Sequence, residues 1–256
     1  MIRGLYTACS GMLLQLAKQD VIANNLANAS TPGFKKDLAV CTAFPDMMIN
    51  RLGEVKVVAG KEEPIPPVAI GRLGTGAAIQ TISTDFSAGA VQKTDNPLDL
   101  AIAGDGFFVI QTPQGEKYTR NGSFRIGDDG ILTTAQGYPV LGRSGPINIG
   151  DQTFTIDEKG NLLVGDEVLD TLRVVRFENN SELVKTGDDL FTNPSGTPVD
   201  VEDGQVIQGY LELSNVVAVK EMVELISVLR AYEANQKVVQ AHDQTLDAAI
   251  NRVGAV

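Results

Sequence analysis

The residues with the most evident chemical potential in this sequence are one histidine, two cysteines and 32 carboxylates. His242 and Asp243 are neighbours on a predicted helix, where adjacent side chains point in different directions, so the pair does not form part of a catalytic triad. A single histidine excludes a multi-histidine metal centre. Cys9 and Cys41 lack the spacing of a thiolate metal site. These residues therefore predict no catalytic or metal centre.

Glycine-rich and acidic turns offer two further kinds of binding site, and neither pattern is complete. Residues 71–76 have the wrong order of glycines for a dinucleotide-binding loop, and no GxxxxGK[ST] phosphate loop occurs. The acidic turns at 128–130 and 157–160 lack the alternating ligands and the distal glutamate of a calcium loop. Among so many carboxylates, any pair chosen as general acid and base would be arbitrary. We expect turns at these positions and a protein that is not an enzyme and has no cofactor.

Composition narrows the class of protein further. The 256 residues carry 21 Lys and Arg against 32 Asp and Glu, a net charge of −11, and 43% are hydrophobic, as in a folded chain. A nucleic-acid-binding protein needs a basic stripe, and none occurs. No run approaches the roughly 18 apolar residues of a membrane span. Polar residues interrupt the N-terminal region, which argues against a secretory signal. We expect no nucleic-acid partner, no membrane insertion and no cleaved signal peptide.

The pattern of residues predicts an α+β protein. Residues 1–28 lack proline and residues 215–252 lack both glycine and proline, and both stretches have helical periodicity. Between them, short apolar runs and turn residues predict antiparallel strands, since the long crossover helices of parallel sheets are missing. The strands are predicted at 77–83, 98–103, 106–112, 116–120, 123–126, 131–134, 153–156, 162–164, 171–178 and 205–213. The predicted domains are an N-terminal helix and loop (1–34), an irregular or extended connector (35–76), a mainly β central domain (77–213) and a C-terminal helix (214–256).

Apolar residues in both predicted helices recur in alternating steps of three and four, which is typical of helices that pack on other helices. We expect the two helices to pair as a coiled-coil-like unit, with each other or with copies. Ordering two long helices costs more entropy than one apolar seam returns, so we expect them to be marginal in a single subunit and ordered in an assembly. The predicted assembly interface on these helices includes Leu5, Met12, Leu16, Leu26, Leu225, Leu229, Tyr232, Val239, Leu246 and Ile250.

Three parts of the sequence resemble the signature segments of bacterial flagellar rod and hook proteins. They are VIANNLANASTPGF at 21–34, LDLAIAGDGFF with YTRNGSF at 98–108 and 118–124, and GYLELSNV with RAYEAN at 209–216 and 230–235. Because they follow the family's order from end to end, the sequence is identified as a member of this family. The resemblance implies a structural subunit of the flagellar basal body. It also implies export by the flagellar type III apparatus and assembly with copies of itself and other rod or hook proteins.

The resemblance also implies a position in the rod and an export signal. The chain is similar in length to proximal and distal rod proteins and shorter than the usual hook protein. Residues 142–147 resemble the proximal type, which we favour, whereas residues 2–5 and 24–28 suit the distal type, which remains the alternative. Phe44 and Met48 match a short Phe-x-x-x-apolar pattern of export-gate recognition, with residues 34–38 as a second candidate.

Three asparagines of the first signature segment need separate consideration. Asn24 and Asn28 lie one helical turn apart and share a face, where polar groups can fix the register between helices. We expect Asn24 and Asn25 to contact neighbouring subunits. For Asn28, an interface role and a simpler role in ending the helix before Pro32 are both open.

Two interpretations from other functional classes also remain. A secreted cell-wall hydrolase would act as a monomer and use carboxylates in an acidic cleft of the β domain. A cytoplasmic coiled-coil adaptor would have helices that are stable in the isolated chain.

Overall fold

A computed structural model describes residues 2–51, 55–58, 61–64, 68–150, 152–157, 159–165, 167–194, 196–201 and 205–253. Helix α1 (Ile2–Ala27) precedes the strands and helix α2 (Ala218–Ala248) follows them, with a 3-10 turn at Asn180–Glu182 and a π turn at Ala249–Val253. The strands are β1 (Asp37–Ala43), β2 (Met47–Arg51), β3 (Val55–Val58), β4 (Lys61–Pro64), β5 (Val68–Leu73), β6 (Ala77–Thr84), β7 (Val91–Lys93), β8 (Leu100–Ala103), β9 (Phe107–Thr112), β10 (Gly115–Thr119), β11 (Arg125–Ile126), β12 (Leu132–Thr133), β13 (Thr155–Ile156), β14 (Asn161–Val164), β15 (Glu167–Thr171), β16 (Val174–Arg176), β17 (Val184–Lys185), β18 (Leu190–Thr192), β19 (Val199–Asp200), β20 (Gln205–Gln208) and β21 (Tyr210–Glu212).

The chain divides into two compact units. The first comprises Met1–Ala23, Leu38–Ser83 and Met222–Val256, and the second comprises Asn24–Asp37 and Thr84–Glu221. Each unit is therefore built from segments that are far apart in the sequence.

Helices α1 and α2 pack on each other in the first unit, where glycines of α1 face polar side chains of α2. A Cβ added at Gly4 would lie 2.6 Å from Nε2 of His242, and one added at Gly11 would lie 2.9 Å from Nδ2 of Asn235. The contact moves forward by seven residues on α1 and back by seven on α2, so the helices run antiparallel. The absence of a side chain at the two glycines allows this close approach. The prediction that the terminal helices pack together is confirmed.

A ribbon of paired strands forms the β part of the first unit. Strand β1 pairs with β6, β2 pairs antiparallel with β5, and β3 pairs antiparallel with β4. The sequence predicts an irregular or extended connector over residues 35–76, and the described part of this range contains the strands β1 to β5. Strand β2 is exposed along its whole length, so no alternation of apolar and polar residues marks it in the sequence. Residues 65–67, part of the predicted extended connector, lie outside the described residues.

The second unit is built on a six-stranded antiparallel sheet with the order β17-β18-β10-β9-β16-β19. Strand β9 is central, and its alternate side chains enter two separate clusters. Phe108 and Ile110 belong to the larger one, and Phe107 and Val109 belong to the smaller one. A strand buried on both faces reads as a continuous apolar run. The prediction of a mainly antiparallel β body is confirmed.

Two short strand pairs link early and late parts of the second unit. Strand β8 pairs with β20, and β7 pairs with β21, both antiparallel. The sequence predicts one strand over residues 205–213, but Gly209 adopts a φ of +77° and separates β20 from β21. Glycine accepts this left-handed conformation without strain. The interruption gives each half of the predicted strand its own partner.

Candidate functional site

Residues 24–37, which include most of the stretch 21–34 and which we call the signature segment from here on, leave helix α1 through a turn that Asn28 stabilises. The Asn28 side chain donates from Nδ2 to the Asn24 carbonyl at 2.9 Å, and its Oδ1 accepts from the Thr31 hydroxyl at 3.3 Å. Helix α1 ends one residue earlier, at Ala27. Of the two roles considered for Asn28, the structure contains the local one, whereas an interface role stays a prediction.

Gly33 places this segment directly on the backbone of the β body. Its φ is +69°, and its N–H donates to the Glu212 carbonyl at 2.7 Å. A Cβ at this position would lie 2.4 Å from the backbone N of Asn121 and 2.5 Å from the carbonyl carbon of Arg120. Both the left-handed conformation and the lack of space therefore require glycine here.

Lys35 enters the interior of the second unit and pairs with Glu212. Its Nζ lies 2.6 Å from Oε1 of Glu212 and donates to the Ser87 carbonyl at 2.8 Å. The exposed fractions of the two side chains are 1% and 3%. The same carboxylate oxygen accepts from the Gly89 N–H at 2.8 Å. Burial lowers the pKa of Lys35, while the hydrogen bond to Glu212 acts in the opposite direction.

Arg120 contacts the other oxygen of the same carboxylate. Its Nε lies 2.8 Å from Oε2 of Glu212, and its two terminal nitrogens donate to the carbonyls of Gly104 and Gly106. Both charged side chains are buried. The three residues form what we call the ionic cluster: Lys35, Arg120 and Glu212. Each charge therefore has an opposite charge within 2.8 Å, but Oε2 of Glu212 contacts Arg120 as an ion pair and accepts no hydrogen bond.

The last turn of α1 and the first turn of α2 meet beside this cluster. Asn25 donates from Nδ2 to the Asp37 carbonyl at 2.9 Å, and its Oδ1 accepts from the Asp37 N–H at 2.9 Å. The same Nδ2 lies 3.5 Å from Oε2 of Glu221 in α2. Asn25 is 2% exposed. The sequence predicts that Asn25 contacts a neighbouring subunit, whereas the structure buries it in contacts within the chain, because its amide satisfies the backbone of Asp37.

Two further side chains fasten the segment. Lys185 lies 2.9 Å from the Asp37 carboxylate and stacks 4.2 Å above the centre of the Phe34 ring. Asn215 accepts from the Lys36 N–H and donates to the Asp85 carbonyl, each at 2.8 Å.

The sequence did not identify the ionic cluster, although its signature stretches contain most of it. Arg120 belongs to the stretch 118–124, Glu212 belongs to 209–216, and Lys35 follows 21–34 directly. A usable signal was the presence of a charged residue in, or directly after, each of three separated stretches that resemble one family. All three side chains of the cluster are buried, so the cluster holds separate parts of the chain together and is not open to a substrate. Among the described residues, no group of three or more His, Cys, Asp or Glu is placed to hold a metal ion.

Most of the predicted assembly residues are half-buried, and a smaller number are exposed. Leu16, Asn24, Leu229 and Ile250 are exposed. Half-buried positions are Leu5, Met12, Leu26, Asn28, Leu225, Tyr232, Val239 and Leu246. The predicted export residues, Phe44 and Met48, are exposed at the end of β1 and in β2.

Each helix also carries an exposed apolar stripe. Tyr6, Cys9, Leu13 and Leu16 follow each other in steps of three, four and three, and we call them the α1 stripe. Met222, Ile226 and Leu229 form the corresponding α2 stripe. Tyr6 is 68% exposed and Leu13 is 63% exposed. The spacing in steps of three and four places the members of each stripe on one side of their helix.

Comparison with known proteins assigns this arrangement to a family. The family model described as "Flagella basal body rod protein" matches residues 5–35, that of the "Flagellar hook protein FlgE/F/G D1 domain" matches 101–164, and that of the "Flagellar basal body rod FlgEFG protein C-terminal" matches 207–252. The chain belongs to the flagellar basal-body rod family. Its rod-family relatives include FlgG of Bacillus subtilis, which is 35% identical over 98% of this chain and 99% of the relative.

Two other relatives span the full length of both chains. The basal-body rod protein FlgF of Caulobacter vibrioides is 35% identical, and the hook-basal body complex protein FlhO of Bacillus subtilis is 32% identical, each over 100% of both chains. The identities to FlgG and FlgF are equal, so they do not decide between members of the rod family. In the part of this rod-family protein that the structure describes, neither helix is long and apolar enough to cross a membrane.

Proposed function

We propose that this protein is a structural subunit of the flagellar rod, that the flagellar type III apparatus exports it, and that it polymerises through its terminal helices. The observation that carries the proposal is the pair of exposed apolar stripes on α1 and α2. Burial of one such side chain contributes about 1.5–3 kcal/mol, so several together favour association strongly. The relatives are named as rod proteins, which supports a structural role over the enzyme and adaptor alternatives.

The coiled-coil-like pairing belongs to this proposal. The α1 and α2 contacts at Gly4 and Gly11 recur at seven residues, which is the repeat of a coiled coil. The seam predicted from Leu5, Met12 and Leu16 lies on other positions of α1. We infer that the glycine face serves the contact within the chain and that the large apolar residues serve contacts with copies and with other rod or hook proteins.

A charge placed in the α1 stripe tests the polymerisation. Leu13→Glu removes an exposed leucine and should change the free energy of unfolding of the monomer by no more than about 0.5 kcal/mol. It should abolish rod assembly in cells that lack the chromosomal copy, as seen by electron microscopy of isolated basal bodies. Leu169→Glu is the matched control, because Leu169 is 50% exposed on β15. Normal rods with Leu13→Glu, or equal loss with both variants, would contradict assembly through the helices.

Export through the Phe44–Met48 segment is tested separately. Phe44→Ala and Met48→Ala should each lower the amount of protein secreted, with no change in the amount inside the cell. Met47→Ala is the control, since Met47 is also exposed but lies outside the two matching positions of the pattern. Undiminished secretion of both variants would remove this segment as the export signal.

For the position along the rod, we propose the proximal segment, with the distal segment as the alternative. The resemblance of residues 142–147 to the proximal type supports this choice. Epitope labelling of this chain in isolated basal bodies, viewed by electron microscopy, distinguishes the two. Label at the cell-proximal end of the rod supports the proposal, and label next to the hook supports the alternative.

A further inference from the structure

The two ends of the chain are joined through the interior of the second unit. Lys35 follows helix α1 and Glu212 closely precedes helix α2, and most of the β body lies between them in the sequence. Their side chains nevertheless approach to 2.6 Å in a place that solvent does not reach. Arg120, from the middle of the sequence, completes the cluster through the second oxygen of the same carboxylate.

Glu212 is the only anion of this cluster, so the cluster depends on it. Lys35 and Arg120 are both cations, and Arg120 opposes the charged form of Lys35. Without the carboxylate, two buried positive charges would face each other uncompensated, which is strongly unfavourable. Lys35 is therefore stable inside the β body only when Glu212 is in place.

Hydrogen bonds around the cluster also join residues after helix α1 to residues near the start of helix α2. The Gly33 N–H donates to the Glu212 carbonyl at 2.7 Å, and the Lys36 N–H donates to the Asn215 side chain at 2.8 Å. At the helix ends, Asn25 faces Glu221. Residues 212–221 thus provide the partners for three contacts of the segment 24–37.

We propose that Lys35, Arg120 and Glu212 form an end-joining latch, which leaves the signature segment undocked until residues 212–221 of the same chain arrive. Synthesis releases residue 35 long before residue 212, so the signature segment stays undocked during that interval. The inference rests on the proposed function in one respect: a chain with an unseated α1 is not ready to polymerise, so the latch delays assembly until the subunit is complete.

Hydrogen exchange of the full-length chain tests the latch in the native monomer. Glu212→Gln keeps the shape of the side chain and removes its charge. We expect amide exchange in residues 24–37 to become about a hundredfold faster, because one partner of a buried pair is lost. Protection of β9 and β10 should remain unchanged. Glu116→Gln is the matched control, since Glu116 pairs with Arg173 in a partly exposed contact at 3.1 Å and should leave both regions unaffected.

Pulse labelling during refolding of the wild-type chain tests the order of events. Protection of residues 24–37 should appear together with that of residues 212–221 and never before it. Lys35→Met in the Glu212→Gln background should restore part of the lost protection, because it removes one uncompensated charge. This double variant separates the latch from a general loss of folding.

Three results would overturn the latch: unchanged protection of residues 24–37 in Glu212→Gln, loss of protection throughout the second unit, or protection of residues 24–37 before residues 212–221. All of these readings come from the monomer. Failure of the rod proposal would show instead as normal rods with Leu13→Glu, so the two failures are distinguishable.

Discussion

Replacement of Gly33 by alanine tests most sharply how the signature segment is seated. A left-handed φ of +69° costs about 1–2 kcal/mol once a Cβ is present. The added methyl carbon would also lie 2.4 Å from the backbone N of Asn121, and relieving such overpacking costs about 1–3 kcal/mol. If the segment shifts, the hydrogen bond to the Glu212 carbonyl is weakened as well, which costs about 1 kcal/mol. We therefore expect Gly33→Ala to lower the free energy of unfolding by about 3–6 kcal/mol.

The matched control for this substitution is Gly165→Ala. Gly165 has a φ of +65°, and a Cβ there would meet no atom within 4 Å. It carries the conformational cost alone, so its loss should be about 1–2 kcal/mol. Urea unfolding of the purified chains measures both, and hydrogen exchange shows whether the loss in Gly33→Ala begins in residues 24–37. Equal losses for the two variants would refute the close contact between Gly33 and the β body.

Three further predictions concern individual side chains. Asn25→Ala removes two hydrogen bonds to the backbone of Asp37 and should lower the free energy of unfolding in urea by about 2–3 kcal/mol. Asn24→Ala, at an exposed position, should lower it by less than about 0.5 kcal/mol. Similar values for the two variants would contradict the assigned roles. Burial raises the pKa of Asp189, so its ionised form destabilises the fold as the pH rises above the pKa of a free aspartate. Asp189→Asn should therefore raise the free energy of unfolding at neutral pH, and this gain should vanish in acid. A gain that does not depend on pH would refute burial of the charge as the cause. Gly11→Leu should overpack the contact with Asn235 and make both helices more susceptible to proteolysis, and unchanged cleavage would contradict the close approach of α1 and α2.

The sequence predicted the helices and the β body well because their signals are local. Helical periodicity without proline marks α1 and α2, and turn residues separate strands whose apolar side chains face a core. The apolar run of β9 is an example, since both of its faces are buried. The ribbon in the first unit was missed for the opposite reason: β2 and most of β5 are exposed, so neither burial nor alternation left a pattern in the sequence.

The ionic cluster could not be predicted from the residues alone. Lys, Arg and Glu lie at the surface in most proteins, so a charged residue in the sequence is ordinarily interpreted as solvated. Lys35, Arg120 and Glu212 are also far apart along the chain, and only the tertiary fold brings them together.

The face of α1 that contacts α2 could not be predicted from the sequence either. A spacing of three and four identifies apolar stripes, but it does not show which stripe meets the partner within the chain. That contact lies at Gly4 and Gly11, and glycines carry no apolar signal.

The most direct test of the account uses the natural thiol of the α1 stripe. Cys9 is exposed in the single chain. The sequence has two cysteines, so Cys41→Ser leaves Cys9 as the one thiol that maleimide can label. Maleimide labelling is measured on the purified monomer and on isolated basal bodies that contain the same variant. Polymerisation through the terminal helices predicts rapid labelling of the monomer and strong protection in the basal body. Equal labelling in the two states would contradict it.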